Sequence, residues 1–153
     1  MPNRSLRDWI DMPPVWLFGA LCLTWIIGEV LPGPEVGVVL RWIGLFLIGA
    51  GLVIIFAALF AFFRARTSPI PRDTPNTLLT GGIFGLTRNP IYLGDVLVLT
   101  GFALKWDAVL ALFLVPLFMA VIQRRFILPE EEKNKDLFKT GYAEYAGRVR
   151  RWV

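Results

Sequence analysis

Histidine is absent from this chain, and cysteine occurs once, at Cys22, inside an apolar run. The first absence removes the commonest general base and the commonest transition-metal ligand, so a zinc hydrolase is disfavoured and no metal site is expected. The second excludes a disulfide framework within the chain, and Cys22 reads as a small apolar core residue. Internal repeats and low-complexity tracts are also lacking, and the first apolar run has no small-residue cleavage site of the signal-peptide kind.

Apolar residues are in excess. They make up 56% of the 153 residues, against roughly 45–50% in soluble domains, and the mean hydropathy is +0.59. A chain this short forms one unit, and its core is too small to bury that much apolar surface; a bilayer is the natural place for the remainder. The net charge is +4. The basic residues stand as flanks of apolar runs rather than as a stripe on a polar face, so no nucleic-acid partner is expected.

The pattern predicts an all-α, polytopic membrane bundle of about four spans within a single domain, over residues 15–31, 40–63, 91–106 and 108–128. The uncharged part of the second run, Trp42 to Phe63, would reach roughly 33 Å as a helix. It carries Gly44, Gly49 and Gly51, which let helices approach closely. The third run is short, and Pro116 should kink the fourth. A turn is expected at Leu31-Pro32-Gly33-Pro34, with Glu29 and Arg41 pairing nearby. Residues 64–90 form a Pro/Gly-rich loop, and residues 129–153 a charged tail with an amphipathic helix. Of sixteen Lys and Arg, fourteen fall on one side of this arrangement, Arg4, Arg7 and Arg72 among them; only Arg41 and Lys105 fall on the other. The positive-inside rule then sets both termini, the loop and the tail of this multi-pass protein in the cytoplasm; with no organelle signal visible, a prokaryotic cytoplasmic membrane is expected. Loop and tail would share one aqueous compartment and could build one site.

Three blocks carry candidate chemistry. Thr80-Gly81-Gly82 through Thr87-Arg88-Asn89-Pro90-Ile91-Tyr92-Leu93-Gly94 reads either as a turn-rich helix entry, with Arg88 snorkelling, Tyr92 in the aromatic belt and Gly94 in packing, or as an anion pocket at a helix N-terminus. Arg124-Arg125 followed by Pro129-Glu130-Glu131-Glu132 reads as the end of a span and the start of a new helix. If that helix instead runs through Pro129, Arg124 and Glu131 lie nearly on one face and suit a zwitterionic ligand. Tyr142 to Trp152 reads as an amphipathic helix followed by a basic-aromatic membrane anchor. Asp95, an ionisable residue entering an apolar helix, is a functional candidate in its own right.

Together these blocks resemble the isoprenylcysteine carboxyl methyltransferase and phospholipid methyltransferase superfamily of integral membrane enzymes. Arg88-Asn89-Pro90-Ile91-Tyr92-Leu93-Gly94 is similar to its Arg-(His or Asn)-Pro-x-Tyr-x-Gly signature, with Asn89 where the isoprenylcysteine branch has His. Pro129-Glu130-Glu131 is similar to its paired-glutamate block, and Tyr142-x-x-Tyr145-x-x-Arg148-Val149 to its C-terminal ending. The resemblance implies methyl transfer from S-adenosylmethionine, leaving S-adenosylhomocysteine, to a lipophilic small molecule or lipid that arrives from the membrane. It implies a cofactor pocket of Arg88, Asn89, Pro90, Tyr92, Gly94, Glu130, Glu131, Tyr142 and Tyr145, with Arg125 and Glu131 as catalytic candidates and Arg124 a rival to Arg125. An amine or alcohol acceptor would need a base, for which Glu130, Glu131 and Asp95 are candidates. A non-catalytic membrane scaffold and an NADPH-dependent reductase on a related scaffold are the alternatives, and the sequence leaves the oligomeric state open.

Overall fold

The computed structural model describes residues 11–31, 33–71 and 73–153; Arg4, Arg7, Pro32 and Arg72, invoked above, lie outside the described residues. Helix α1 (Pro13–Val30) begins with proline in its first turn, where the missing N–H has no helical partner to lose. Helix α2 (Gly37–Arg64) is the longest uninterrupted apolar element. A loop containing one 3₁₀ turn, Gly82–Gly85, leads to α3 (Pro90–Lys105), again opened by proline. After a tight turn, a 3₁₀ segment (Val109–Phe113) runs into α4 (Leu114–Ile122), a π-helical turn (Gln123–Ile127) and α5 (Leu128–Arg148).

Among the described residues the fold is all-helical, as expected, but only three helical stretches are long and apolar enough to cross a membrane: Pro13–Val30, Gly37–Arg64 and Val109–Arg148. The expected third span, α3, has 16 residues. At 1.5 Å per residue it reaches about 24 Å, short of a hydrocarbon core of about 30 Å. Its surroundings compensate. Pro90, Tyr92, Gly94, Asp95, Val96, Val98, Leu99, Gly101 and Ala103 are all buried, so α3 is the central post of the bundle rather than a helix bathed in lipid. By contrast α1 and α2 turn most of their surface outward, with Phe18 at 68%, Phe46 at 72% and Phe63 at 79% exposure. Such side chains are tolerable only against an apolar medium. Cys22 sits on that outward surface, not in a core.

Helices α2 and α3 meet through paired glycines seven residues apart on each. A Cβ on Gly44 would lie 2.6 Å from the Gly101 carbonyl oxygen, and one on Gly51 would lie 2.6 Å from that of Gly94. The reciprocal distances are equally short, so neither backbone has room for a side chain. Without a hydrophobic driving force between helices in lipid, this backbone proximity and the dispersion contacts it permits hold the pair. Gly49 has open space beside it and takes no part. On its other sides α3 packs Tyr92, Val96 and Leu99 against Phe118, Ile122, Phe126 and Ile127, with Leu17, Ala20 and Leu21 of α1 closing the cluster.

Two local expectations change. Arg41 pairs with Asp107 at 2.7 Å, not with Glu29. Asp107 also accepts the Val36 backbone N–H and so ties the start of α2 to the α3–α4 turn. Pro116 falls in the first turn of α4, where its missing N–H costs little, and the break expected of it appears as the change from 3₁₀ to α winding.

Candidate functional site

At the opposite end of the bundle from Asp107, the loop before α3, the α4–α5 junction and residues 149–152 are tied together. The Arg88 backbone N–H donates to the Arg150 carbonyl at 3.0 Å. Asn89 Nδ2 and Thr87 Oγ1 both donate to the Arg151 carbonyl, at 2.9 and 3.2 Å. Trp152 Nε1 donates to Gln123 Oε1 at 3.0 Å, and the Tyr145 hydroxyl to the Phe84 carbonyl at 2.7 Å. The basic-aromatic ending, expected as a membrane anchor, instead folds back as a clasp on the loop and the π-turn.

The helix does not restart at Pro129. It continues from α4 into α5 because the π-turn absorbs the proline: the Leu128 N–H reaches back five residues to the Gln123 carbonyl. One residue added to a turn rotates everything after it by about 100°. Arg124 and Glu131, seven apart and nearly eclipsed in an unbroken α-helix, are thereby separated. Arg125 joins Glu130 and Glu131 on the wall of one cavity, and Arg124 does not reach it. Arg125 also binds Asp11 through Nε and lies over the Trp16 ring, 5.3 Å from its centroid.

Glu131 is buried between two guanidinium groups. Arg88 approaches Oε1 at 3.0 Å, while Arg151 is bidentate, with Nε 3.0 Å from Oε1 and Nη2 2.7 Å from Oε2. Two cations on one carboxylate leave a net positive charge in a largely dry wall. Two buried polar atoms there have no partner among the described residues: Arg88 Nε and the Tyr142 hydroxyl. Burial pushes the Tyr142 hydroxyl up to about 12, so it remains a donor at neutral pH. Half-buried Glu130 accepts the Tyr92 hydroxyl at 2.8 Å. Desolvation raises its carboxyl to about 7, against the opposing pull of that hydrogen bond.

Two cavities open on these groups. The larger, about 540 Å³, is lined by Arg88, Asn89, Arg125, Glu130, Glu131, Tyr142 and Tyr145, together with the loop's Ser68 to Pro71, Asp73 and Thr77 to Leu79. The smaller, about 440 Å³, lies among α1, α2 and α3 and is mostly apolar, its polar wall being Arg88, Asn89, Tyr92, Asp95 and Glu130. Phe62, Phe84, Arg88, Asn89 and Glu130 line both, so the cavities adjoin. Of the residues picked out from the sequence, Pro90 and Tyr92 border only the smaller cavity and Gly94 borders neither, being spent on the contact with Gly51. Sequence reasoning missed Arg151, Thr87 and Gln123; a basic-aromatic ending already has a sufficient explanation at a membrane surface, and no local signal separates a clasp from an anchor.

Long apolar helices gathered round a short central one, with a charged cavity and an apolar cavity meeting at one end, define a membrane-type helical scaffold with a polar and an apolar pocket side by side. The sequence profile described as phospholipid methyltransferase matches residues 36–140, and the chain belongs to that family. It is an S-adenosylmethionine-dependent methyltransferase acting on a lipid-type acceptor. The match takes in α2, the loop, the Arg88 block and both glutamates; Tyr142 and the clasp lie beyond it. Neither the curated proteins nor the solved structures gave a match.

Proposed function

We propose that the larger cavity binds S-adenosylmethionine, that the smaller one admits the hydrocarbon-bearing acceptor from the bilayer, and that the two meet at Glu130. The observation that carries this reading is the shared wall: two cavities of opposite character, each large enough for a small ligand, adjoin at one carboxyl group. The residues fit the cofactor. Its amino-acid end carries a carboxylate, and the wall offers an excess positive charge with two buried donors, Arg88 Nε and the Tyr142 hydroxyl, that lack partners. When bound, the cofactor would supply a sulfonium methyl group to the acceptor's nucleophilic atom by in-line displacement, with the thioether S-adenosylhomocysteine as leaving group.

The chain's own part is placement and proton handling. Phe62, Phe84, Pro69 and Pro71 line both cavities and give the junction an apolar wall, beside which charge interactions are stronger than in water. Holding both ligands in line is worth up to ~7–11 kcal/mol of the barrier in well-oriented systems. Glu130, kept in place by Tyr92, takes the proton from an amine or alcohol acceptor, and Asp95 adds a second carboxyl to the apolar cavity. Arg125, on the larger cavity's wall, orients the polar end of either ligand.

In the same reading α3 completes a fourth, thin crossing, sheltered by its neighbours. The loop and tail face the cytoplasm with both termini, in a prokaryotic cytoplasmic membrane.

Calorimetric titration of S-adenosylmethionine, S-adenosylhomocysteine and NADPH into detergent-purified protein tests the site. Saturable binding of the first two and none of NADPH is the expected result. NADPH binding alone, or no binding by protein shown to be folded, overturns it.

A further inference from the structure

We infer that Arg151 is a positioning residue for the cofactor's carboxylate: by occupying Glu131 it keeps the Arg88 guanidinium available to an anionic ligand. The inference rests on the proposed cofactor site. Glu131 is the carboxylate that pairs with Arg88, and a buried 1:1 pair of the two would satisfy both charges and turn the guanidinium inward. The structure shows a different arrangement. Arg151 takes Glu131 in the planar, two-pronged geometry, one nitrogen to each oxygen. Arg88 is left with a single Nη2 contact and a buried, unpartnered Nε. The carboxylate is therefore largely neutralised from one side, and the charge of Arg88 remains uncompensated on the cavity side.

The backbone fixes this division. The Arg151 carbonyl is held by Asn89 and Thr87, the Arg150 carbonyl by the Arg88 N–H, and the neighbouring Trp152 by Gln123. The guanidinium that competes for Glu131 is thus delivered by a segment bound to the residues beside Arg88 itself. An arginine placed only to cap Glu131 would not need its carbonyl aligned with the Arg88 loop. Glu131, expected from the sequence to touch ligand, acts here as the common counter-ion that spaces two arginines.

The test compares two ligands that differ in the amino-acid end. S-adenosylhomocysteine carries the carboxylate, and 5′-methylthioadenosine keeps the nucleoside and sulfur without it. Calorimetry on the full chain is expected to show that Arg151→Ala weakens S-adenosylhomocysteine about tenfold, as for loss of one charge-assisted hydrogen bond, while 5′-methylthioadenosine binds as in wild type. Arg151→Lys, which keeps the charge without the fork, should fall between. Trp152→Phe, which removes the bond to Gln123 but keeps the Asn89 and Thr87 ties on the Arg151 carbonyl and the guanidinium itself, should discriminate between the two ligands as wild type does. Equal losses for both ligands in the Arg151 variants would show a purely structural role and overturn the inference, as would unchanged S-adenosylhomocysteine affinity in folded Arg151→Ala. Wild-type protein that binds neither ligand would remove the cofactor site itself, an outcome separate from either.

Discussion

Two tyrosines one helical turn apart in α5 are both buried, yet their hydroxyls differ. That of Tyr145 is bonded to the Phe84 carbonyl, and that of Tyr142 has no partner. Tyr145→Phe should therefore cost about 1 kcal/mol of stability. Tyr142→Phe should leave stability within about 0.5 kcal/mol of wild type but weaken S-adenosylhomocysteine binding roughly five- to tenfold, one neutral hydrogen bond's worth. Denaturant unfolding and calorimetry on the two variants separate these effects, and a reversed pattern would place the ligand elsewhere. Glu130 gives a pH expectation. With its carboxyl raised to about 7 it holds its proton in acid, and only above that value does the base form predominate. Methylation of an amine acceptor should rise as pH passes through 7, and Glu130→Gln should flatten that limb. A Gln variant with the wild-type profile would exclude Glu130 as the base.

Among the elements, the α2–α3 pair is where one motif residue changes meaning. Gly94 stands in a signature read as cofactor-binding, yet its missing side chain makes room for Gly51. Gly94→Ala and Gly101→Ala should lower thermal stability by about 1–3 kcal/mol through overpacking, whereas Gly49→Ala, with nothing near it, should be neutral. Ligand affinity in Gly94→Ala that collapses while the melting temperature holds would return this glycine to the site. The helices themselves were legible in the sequence because apolar runs bounded by prolines and charges admit few other readings. What was not legible depends on register and on distant partners. The π-turn at Gln123–Ile127 leaves no composition signal, so the choice between Arg124 and Arg125 could not be made from spacing. The clasp could not be foreseen either, since the hydrogen bonds that tie it to the loop join residues more than sixty positions apart.

For the whole molecule, the separation of its two ends supports a definite topology. Arg41 and Asp107 close one end; the loop and tail, joined by Lys133 Nζ on the Asp73 carbonyl at 3.0 Å, close the other. In a Cys22→Ala background, cysteines at Thr74 and Thr140 should label from the same face of sealed vesicles, and one at Glu35 from the opposite face. Labelling of Thr74 and Thr140 from opposite faces would break the site as well as the topology. The all-helical class and the candidate cavity's main residues followed from the sequence; the count of four full spans did not, because a 16-residue helix can be central without being long.

The smaller cavity has a kinetic consequence. Its walls come from α1, α2 and α3, so under the proposed assignment, with those helices in a bilayer, its ligand would be delivered by lateral diffusion and its relevant concentration would be a surface density. Saturation should follow the mole fraction of acceptor among the lipids and be insensitive to bulk volume, whereas the larger cavity follows ordinary molarity. Adding inert lipid or detergent would then act as a diluent for one substrate and leave the other untouched.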